Sequence, residues 1–338
     1  MGANILIITG LVMGIIFGSL LHFGKIRFNL AFRNLFFFKD PHIFKMLILI
    51  VTLEAIYFHV FAHFGFLNLN PIPLNLVSNP LGGIITGIGV AIAGGCAGIT
   101  YRSGEGITVA IVTLVSYAFT IFFVSNSFIM DFLSEFEITV DNINDLFVET
   151  SGPSLYSLLG ISPWGILFIA SIISFTYIFL SGNSKRMGEY NWRIIANITA
   201  FTGVIAYMLS HYNGRDYGYV ITGGWKNIMN WIFGISPLGW EGFEVIGIVL
   251  GAFLISRSNN KFRLVIPKNK KVYLKFIFAG ILIGFGSTIA NGCTTGHFWT
   301  GLPQFSISSI VTLTFLLIAN YFTNKYILKS HIRKMKKG

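Results

Sequence analysis

Residues 87–104 read GIGVAIAGGCAGITYRSG, and residues 284–301 read GFGSTIANGCTTGHFWTG. Aligned without gaps at an offset of 197, they share Gly87/Gly284, Gly89/Gly286, Ile92/Ile289, Ala93/Ala290, Gly95/Gly292, Cys96/Cys293 and Gly104/Gly301. Each stretch leads into an apolar run, and upstream Gly14 and Gly18 echo Gly247 and Gly251. Self-similarity of this kind implies two related half-repeats, about 1–130 and 236–330, within one transmembrane domain spanning 1–338. An outer acidic loop and two helices would join them. The glycines have a plain reading as a packing seam between helices. They have a sharper one as backbone lining a cavity, since irregular chain at membrane depth survives only where protein or a pore surrounds it.

The surrounding composition sets the class. Of 338 residues, 54% are apolar and 11% charged, where a soluble domain carries about 25% charged residues. Phe alone occurs 34 times. This excludes a disordered chain and a nucleic-acid-binding domain. Stretches of about 20 apolar residues mark membrane-crossing helices. They fall near 4–23, 43–66, 81–97, 106–128, 160–180, 194–211, 240–256, 272–290 and 305–325. The expected fold is therefore an all-α polytopic membrane protein of about nine transmembrane helices, with short re-entrant or broken Gly-rich segments. The first span lacks a basic leader and a small-residue cleavage site, so it is read as a retained helix.

The net charge of +11 is explained by sidedness. Lys25, Arg27, Arg33, Lys39 and Lys45 follow the first span, Arg102 follows the third, and Lys185, Arg186 and Arg193 precede the sixth. Seven more basic residues lie in 257–275 and six in 325–338. With nine spans, an outside N-terminus and an inside C-terminus, only Arg215 and Lys226 among the basic residues fall outside. The loop 129–160, with Asp131, Glu135, Glu137, Asp141, Asp145 and Glu149 and no Lys or Arg, also falls outside. The localisation expected is a cell membrane, crossed many times. Under this topology the two cysteine segments run in opposite directions. Inverted repeats of that kind are characteristic of transporters, with the substrate path at the repeat interface.

A lone buried Cys is usually an inert small hydrophobe. Here the only two cysteines share one repeat position, which favours a role for both. A thiol can donate a soft S–H hydrogen bond or attack sulfur when its pKa is lowered, and Gly95 and Gly292 leave room beside each. Both chemistries suit a sulfur- or selenium-containing substrate. Two cysteines are too few for a disulfide framework or a Cys-rich metal site. Arg102 either attracts an anion or pairs with Glu105. His297 either guides an anion or caps a turn. Asn291, Thr294 and Thr295 supply polar groups at the outer mouth, Asn291 equally at a helix break. Glu54, in mid-span, is a candidate intramembrane site because an unpaired buried acid is costly. His59 and His63, four apart, share a helix face, but no further ligand group accompanies them. No metal or other cofactor is expected.

These segments resemble the YeeE/YedE family of bacterial membrane proteins, whose characterised activity is thiosulfate uptake. Matching residues are Gly94-Gly95-Cys96, Arg102 and Glu105-Gly106; Gly292-Cys293-Thr294 and Thr300-Gly301-Leu302-Pro303; Phe262-Arg263-Leu264 with Pro267; and the run from Lys25 to Arg33. The resemblance implies that thiosulfate, or a similar small sulfur anion, passes along pore cysteines by S–H hydrogen bonds, with Cys96 and Cys293 in that role. One position departs: the family's first cysteine corresponds to Arg27, which either contacts the same dianion by charge or marks a different substrate. Some family members are linked to selenium metabolism, so a selenium compound is a second substrate class. A membrane sulfurtransferase using a cysteine persulfide is the reading from another class, with His297 and Arg102 as its only evident activators. A third has the protein hand its substrate to a cytoplasmic sulfur-carrier protein. Apart from these the partner is the lipid bilayer. No nucleotide-binding motif is present, so direct ATP use is not expected.

Overall fold

The computed structural model describes residues 2–141, 146–181 and 191–335. Asp145, Lys185, Arg186, Lys336 and Lys337, which entered the charge pattern, lie outside the described residues. The chain is a bundle of helices. α1 (Gly2–Gly24), α2 (Phe28–Phe38), α3 (His42–His63), α4 (Ser78–Ala93), α5 (Cys96–Gly104), α6 (Thr108–Ser125) and α7 (Phe128–Ser134) make up its first part. There follow α8 (Leu155–Leu159), α9 (Pro163–Leu180), α10 (Trp192–His211) and α11 (Thr222–Ile232). The last are α12 (Trp240–Ser258), α13 (Lys271–Ile289), a π-helical turn (Gly296–Gly301) and α14 (Ile307–Met335).

Eight helical stretches among the described residues are long and apolar enough to cross a membrane. Each covers one of the nine expected spans, though the first (Ile7–Phe38) and the third (Ser78–Gly104) run well past the expected ends, taking in α2 and α5. The remaining one, α12, has 19 residues but carries Glu241, Glu244 and Arg257, which lowers its hydropathy. It still lies along α1 for most of its length. The short helices α2 and α11 fall in stretches the hydropathy reading left as loops. Each turns a narrow buried face inward, Phe28, Asn29, Ala31 and Phe32 on α2, and Thr222, Gly224, Ile228 and Met229 on α11.

Glycines explain how α1 and α12 come together. A Cβ at Gly14 or Gly18 would overlap the carbonyl oxygens of Glu244 or Ile248. One at Gly247 or Gly251 would overlap those of Leu11 or Ile15. The contact is reciprocal, backbone against backbone, as small residues permit in a medium where lipid is as apolar as the side chains. The packing of the other helices is reciprocal too. Gly83 and Gly87 of α4 press on the carbonyls of Thr312 and Leu316 in α14. At the equivalent positions, Gly280 and Gly284 of α13 press on Thr113 and Tyr117 of α6. α4 and α13 meet each other at Gly82 and Gly286.

Both central helices are interrupted before their cysteine. After α4 the chain turns at Gly94 (φ +104°) and Gly95 (φ +96°), a left-handed geometry that glycine adopts without steric cost. After α13 it turns at Asn291 (φ +57°), and the next helical piece is the π turn, a distortion often found at functional sites. Asparagine is the usual substitute for glycine in that conformation. A buried amide network ties the basic end together. Asn29 Oδ1 accepts from Asn320 Nδ2 (3.2 Å) and Asn324 Nδ2 (2.8 Å), while Asn29 Nδ2 donates to the Ala91 carbonyl. At the opposite end, two-residue strand pairs (Leu74–Asn75 with Glu137–Ile138, Val140–Asp141 with Thr150–Ser151) hold the acidic loop down.

The backbone contact between α1 and α12 leaves no room for a side chain. Gly18→Leu is expected to cost about 1–3 kcal/mol by overpacking, read as a fall of several degrees in the thermal unfolding midpoint of the detergent-purified protein. Gly65→Leu, at a position with nothing within 4 Å, bears only its backbone conformation and should fall less.

Candidate functional site

The two interruptions meet. Cys96 opens α5 and Cys293 lies just before the π turn, and their Sγ atoms are 2.7 Å apart, both fully buried and both free thiols. Two hydroxyls complete the cluster, with Thr294 Oγ1 and Thr295 Oγ1 each 3.1 Å from Cys96 Sγ. The Cys293 sulfur faces the Thr222 hydroxyl and the backbone N–H groups of Thr295 and Gly296. Thr222 is itself fixed by the buried Tyr117 hydroxyl at 2.8 Å. Successive backbone N–H groups turned to one point make a concavity suited to anionic or electron-rich atoms. Gly95 stands beside the cluster, 3.5 Å from Thr294 Oγ1 at the place its Cβ would occupy.

Two vestibules approach the thiol pair, one at Thr222 and Gly292 on the Cys293 side and one at Tyr101 and Arg102 along α5. One, about 370 Å³, lies on the side of the acidic loop and is lined by Arg215, Lys226, Glu241, Asn291 and Gly292, with Thr222, Ser287 and Thr288 also in its wall. The other, about 320 Å³, lies at the basic end and is lined by Lys25, Arg27, Arg102, Lys261 and Arg263, with Glu105 and His22. A third space, of only about 10 Å³, lies beside the cluster, bounded by Gly94, Gly95, Gly98, Thr294, Thr295 and Trp299. That is no more than the volume one water needs.

Each sequence-derived candidate has a definite place. Arg27 lies in the basic vestibule, its Cγ 3.6 Å from where a Gly98 side chain would start, and its Nε is buried without a hydrogen-bond partner. Arg102 lies in the same vestibule, six residues along α5 from Cys96, or about 9 Å at 1.5 Å per residue. Glu105 Oε1 instead meets His22 Nδ1, at 2.6 Å. His297 is closed off: Nδ1 meets Ser309 Oγ at 2.9 Å and Nε2 the Ala290 carbonyl at 3.1 Å. It braces the interrupted end of α13 and turns neither nitrogen to the thiols. Glu54 is buried away from the thiol cluster, its Oε1 pressed on Gly203 of α10 and its Oε2 unpartnered. His59 is engaged by the Ala55 carbonyl and the Tyr156 hydroxyl, each at 2.7 Å. Among the described residues no group of three or more His, Cys, Asp or Glu side chains could hold a metal ion.

Several vestibule residues carried no sequence signal as a site. Arg215 and Lys226 were visible only as the two basic residues on the wrong side of the charge pattern. Glu241 Oε2 sits 3.3 Å from Arg215 Nε, and the Arg215 guanidinium lies over the rings of Tyr217 (5.5 Å) and Trp240 (5.9 Å). Nothing in the order of residues 215, 226 and 241 announces that they share a cavity with Gly292.

With this geometry in place, comparison with known proteins gives a consistent result. A family model described as sulphur transport matches residues 23–322. The thiosulfate transporter TsuA of Spirochaeta thermophila is 36% identical over 319 residues, 93% of this chain and 96% of that one. The thiosulfate transporter TsuA of Escherichia coli is 24% identical over 325 residues, 93% of this chain and 92% of that one. The probable transporter YedE of Escherichia coli is 30% identical over 88 residues, 26% of this chain and 22% of that one. These relatives are named as transporters, not as enzymes, and the apolar helices make this chain a multi-pass membrane protein. On the match to nearly its whole length, the chain belongs to the sulphur transport (YeeE/YedE) family.

Proposed function

We propose that the protein imports thiosulfate, or a closely related sulfur anion, through the Cys96–Cys293 constriction. The observation that carries this reading is the buried Cys96–Cys293 pair, with a cavity bearing arginine and lysine towards either end of the bundle. The names of the relatives supply the substrate class. Positive-inside bias orients the path, with the Arg215 vestibule outside and the Arg27 vestibule in the cytoplasm.

The chemistry fits a sulfur anion better than a hard oxyanion. An S–H group is a weak, polarisable donor, and the terminal sulfur of thiosulfate is a soft acceptor. Cys293 would receive that sulfur from the outer vestibule, steadied by Thr222 and the N–H groups of Thr295 and Gly296. Cys96, in contact with Cys293 and with the Thr294 and Thr295 hydroxyls, would accept it next. α5 then leads to Arg102 and Arg27, where two guanidinium groups replace thiol contacts by charge. Arg27 stands where the family has a cysteine. Its unpartnered Nε is a ready donor to the oxyanion end of the same dianion. The reciprocal glycine packing supports reading the chain as two inverted halves, so that opening one end would exchange roles with closing the other. The persulfide alternative lacks its base, since both His297 nitrogens are engaged elsewhere.

Labelled thiosulfate uptake into proteoliposomes tests this, with sulfate and selenite as competitors. Cys293→Ala is expected to lower uptake at least tenfold in protein that still inserts, with sulfate competing poorly against the wild type. Uptake that survives loss of both Cys96 and Cys293 would sink the thiol path. Arg27→Gln removes a charge-assisted contact worth about 1.5–3 kcal/mol and is expected to slow uptake about 10- to 100-fold. Competition by selenite at lower concentration than by thiosulfate would move the substrate class to selenium.

A further inference from the structure

The inward movement of a dianion has an energetic obstacle. Each negative charge carried against an inside-negative potential of about 100 mV lowers the attainable internal concentration about 50-fold, hence about 2,000-fold for two charges. Passive entry would leave the cell depleted of the substrate. The chain has no nucleotide-binding motif, and a co-moving cation would supply the drive.

The outer vestibule contains a charge arrangement suited to this. α12 begins with Trp240, so Glu241 and Glu244 lie on one face, three residues apart. Glu241 lines the vestibule and pairs with Arg215. Glu244, one turn deeper, is fully buried and accepts the Val220 N–H at 3.2 and 3.5 Å. Arg215 is within electrostatic reach of both carboxyls. It cannot swing away, because Nη1 is held by Ser210 Oγ (2.9 Å) and by the carbonyls of Tyr217 (3.2 Å) and Gly218 (3.3 Å). The fixed guanidinium therefore pairs directly with Glu241 and acts on Glu244 from farther off. The other ionisable groups around Glu244 are Cys293 and Tyr219. Lys226 of α11 faces the same vestibule, and Gly14 is where α1 presses on the Glu244 backbone.

An arriving dianion would take the guanidinium that these carboxyls share. Without a proton on Glu244, its charge, that of Glu241 and the dianion would crowd around Arg215 in a low-dielectric wall, with Lys226 the other cation lining the vestibule. Proton binding by a carboxyl removes that repulsion, so anion and proton each favour the binding of the other, by linkage. Resting on the import reading above, we propose that the protein is a proton–anion symporter, in which Glu244, with Glu241 beside it, takes up a proton as the anion engages Arg215. Tyr219 lies within electrostatic reach of both Glu244 and Glu54. The unpartnered Oε2 of Glu54, in a side chain 1% exposed, makes it the next carboxyl able to hold that proton further in.

The test uses the full-length protein in liposomes with a pH-reporting dye inside, the membrane potential clamped with potassium and an ionophore, and labelled thiosulfate outside. Thiosulfate addition is expected to acidify the lumen. A one-unit pH gradient, acid outside, should raise accumulation tenfold for one proton per anion, or a hundredfold if Glu241 carries a second. Glu244→Gln should at least halve the protons moved per thiosulfate and flatten the pH dependence, with Glu244→Asp restoring both. If Glu244→Gln does not fold, the wild-type dye signal and gradient dependence still decide the question. Uptake without acidification and without dependence on the gradient overturns symport while leaving import standing. Acidification unchanged in a folded Glu244→Gln overturns the assignment to this carboxyl. No uptake at all from folded protein overturns the import reading, and symport with it.

Discussion

A helix broken inside a bilayer exposes backbone groups that lipid cannot satisfy. Two such breaks, after α4 and after α13, can exist at membrane depth only if each is covered by protein, and here each covers the other. The meeting of Cys96 and Cys293 follows from that mutual cover. The glycine faces of α4 and α13 bring their axes close. α6 and α14 wall them on opposite sides, and α1 and α12 lock backbone to backbone alongside. His297, Asn79 and the Asn29 amide then bond to the carbonyls that the breaks leave free, at Ala290 and Ala91. The polar side chains nearest the breaks are in this sense the completion of the secondary structure.

Much of this is written in the order of residues. Hydropathy places the long helices within a few positions because the bilayer imposes one length on all of them. The repeat of Gly-Cys identifies the pair that meets, since a shared position in two related halves implies a shared place in the fold. The glycines on α1 and α12 were legible as an echo, and their reciprocal contact gives the echo a physical reason. Helices α2 and α11 were not legible. Their 11 residues are shorter than a span, and only tertiary packing makes them helical, in keeping with the marginal stability of short isolated helices.

The site was legible in its centre and hidden at its edges. Cys96 and Cys293 hold one position of the repeat and Thr294 and Thr295 directly follow Cys293, so the sequence links the four although 197 residues separate the cysteines. Arg215, Lys226 and Glu241 come from a loop and two different helices, and no periodicity links them. The one available signal was negative: two cations out of keeping with the charge asymmetry of the rest. His297 shows the opposite error. Its nearness to Cys293 in sequence suggested chemistry, whereas a helix break needs donors and acceptors of its own, and the histidine is consumed there.

The space beside the thiols, about 10 Å³, has a further consequence. An ion crossing such a seal cannot bring its hydration shell. Small, highly charged oxyanions hold their water hardest, while large polarisable ones release it readily. The constriction would therefore sort anions by how easily they dry, ahead of any recognition by a side chain. On the proposed route, a space that narrow would hold no standing column of water at rest.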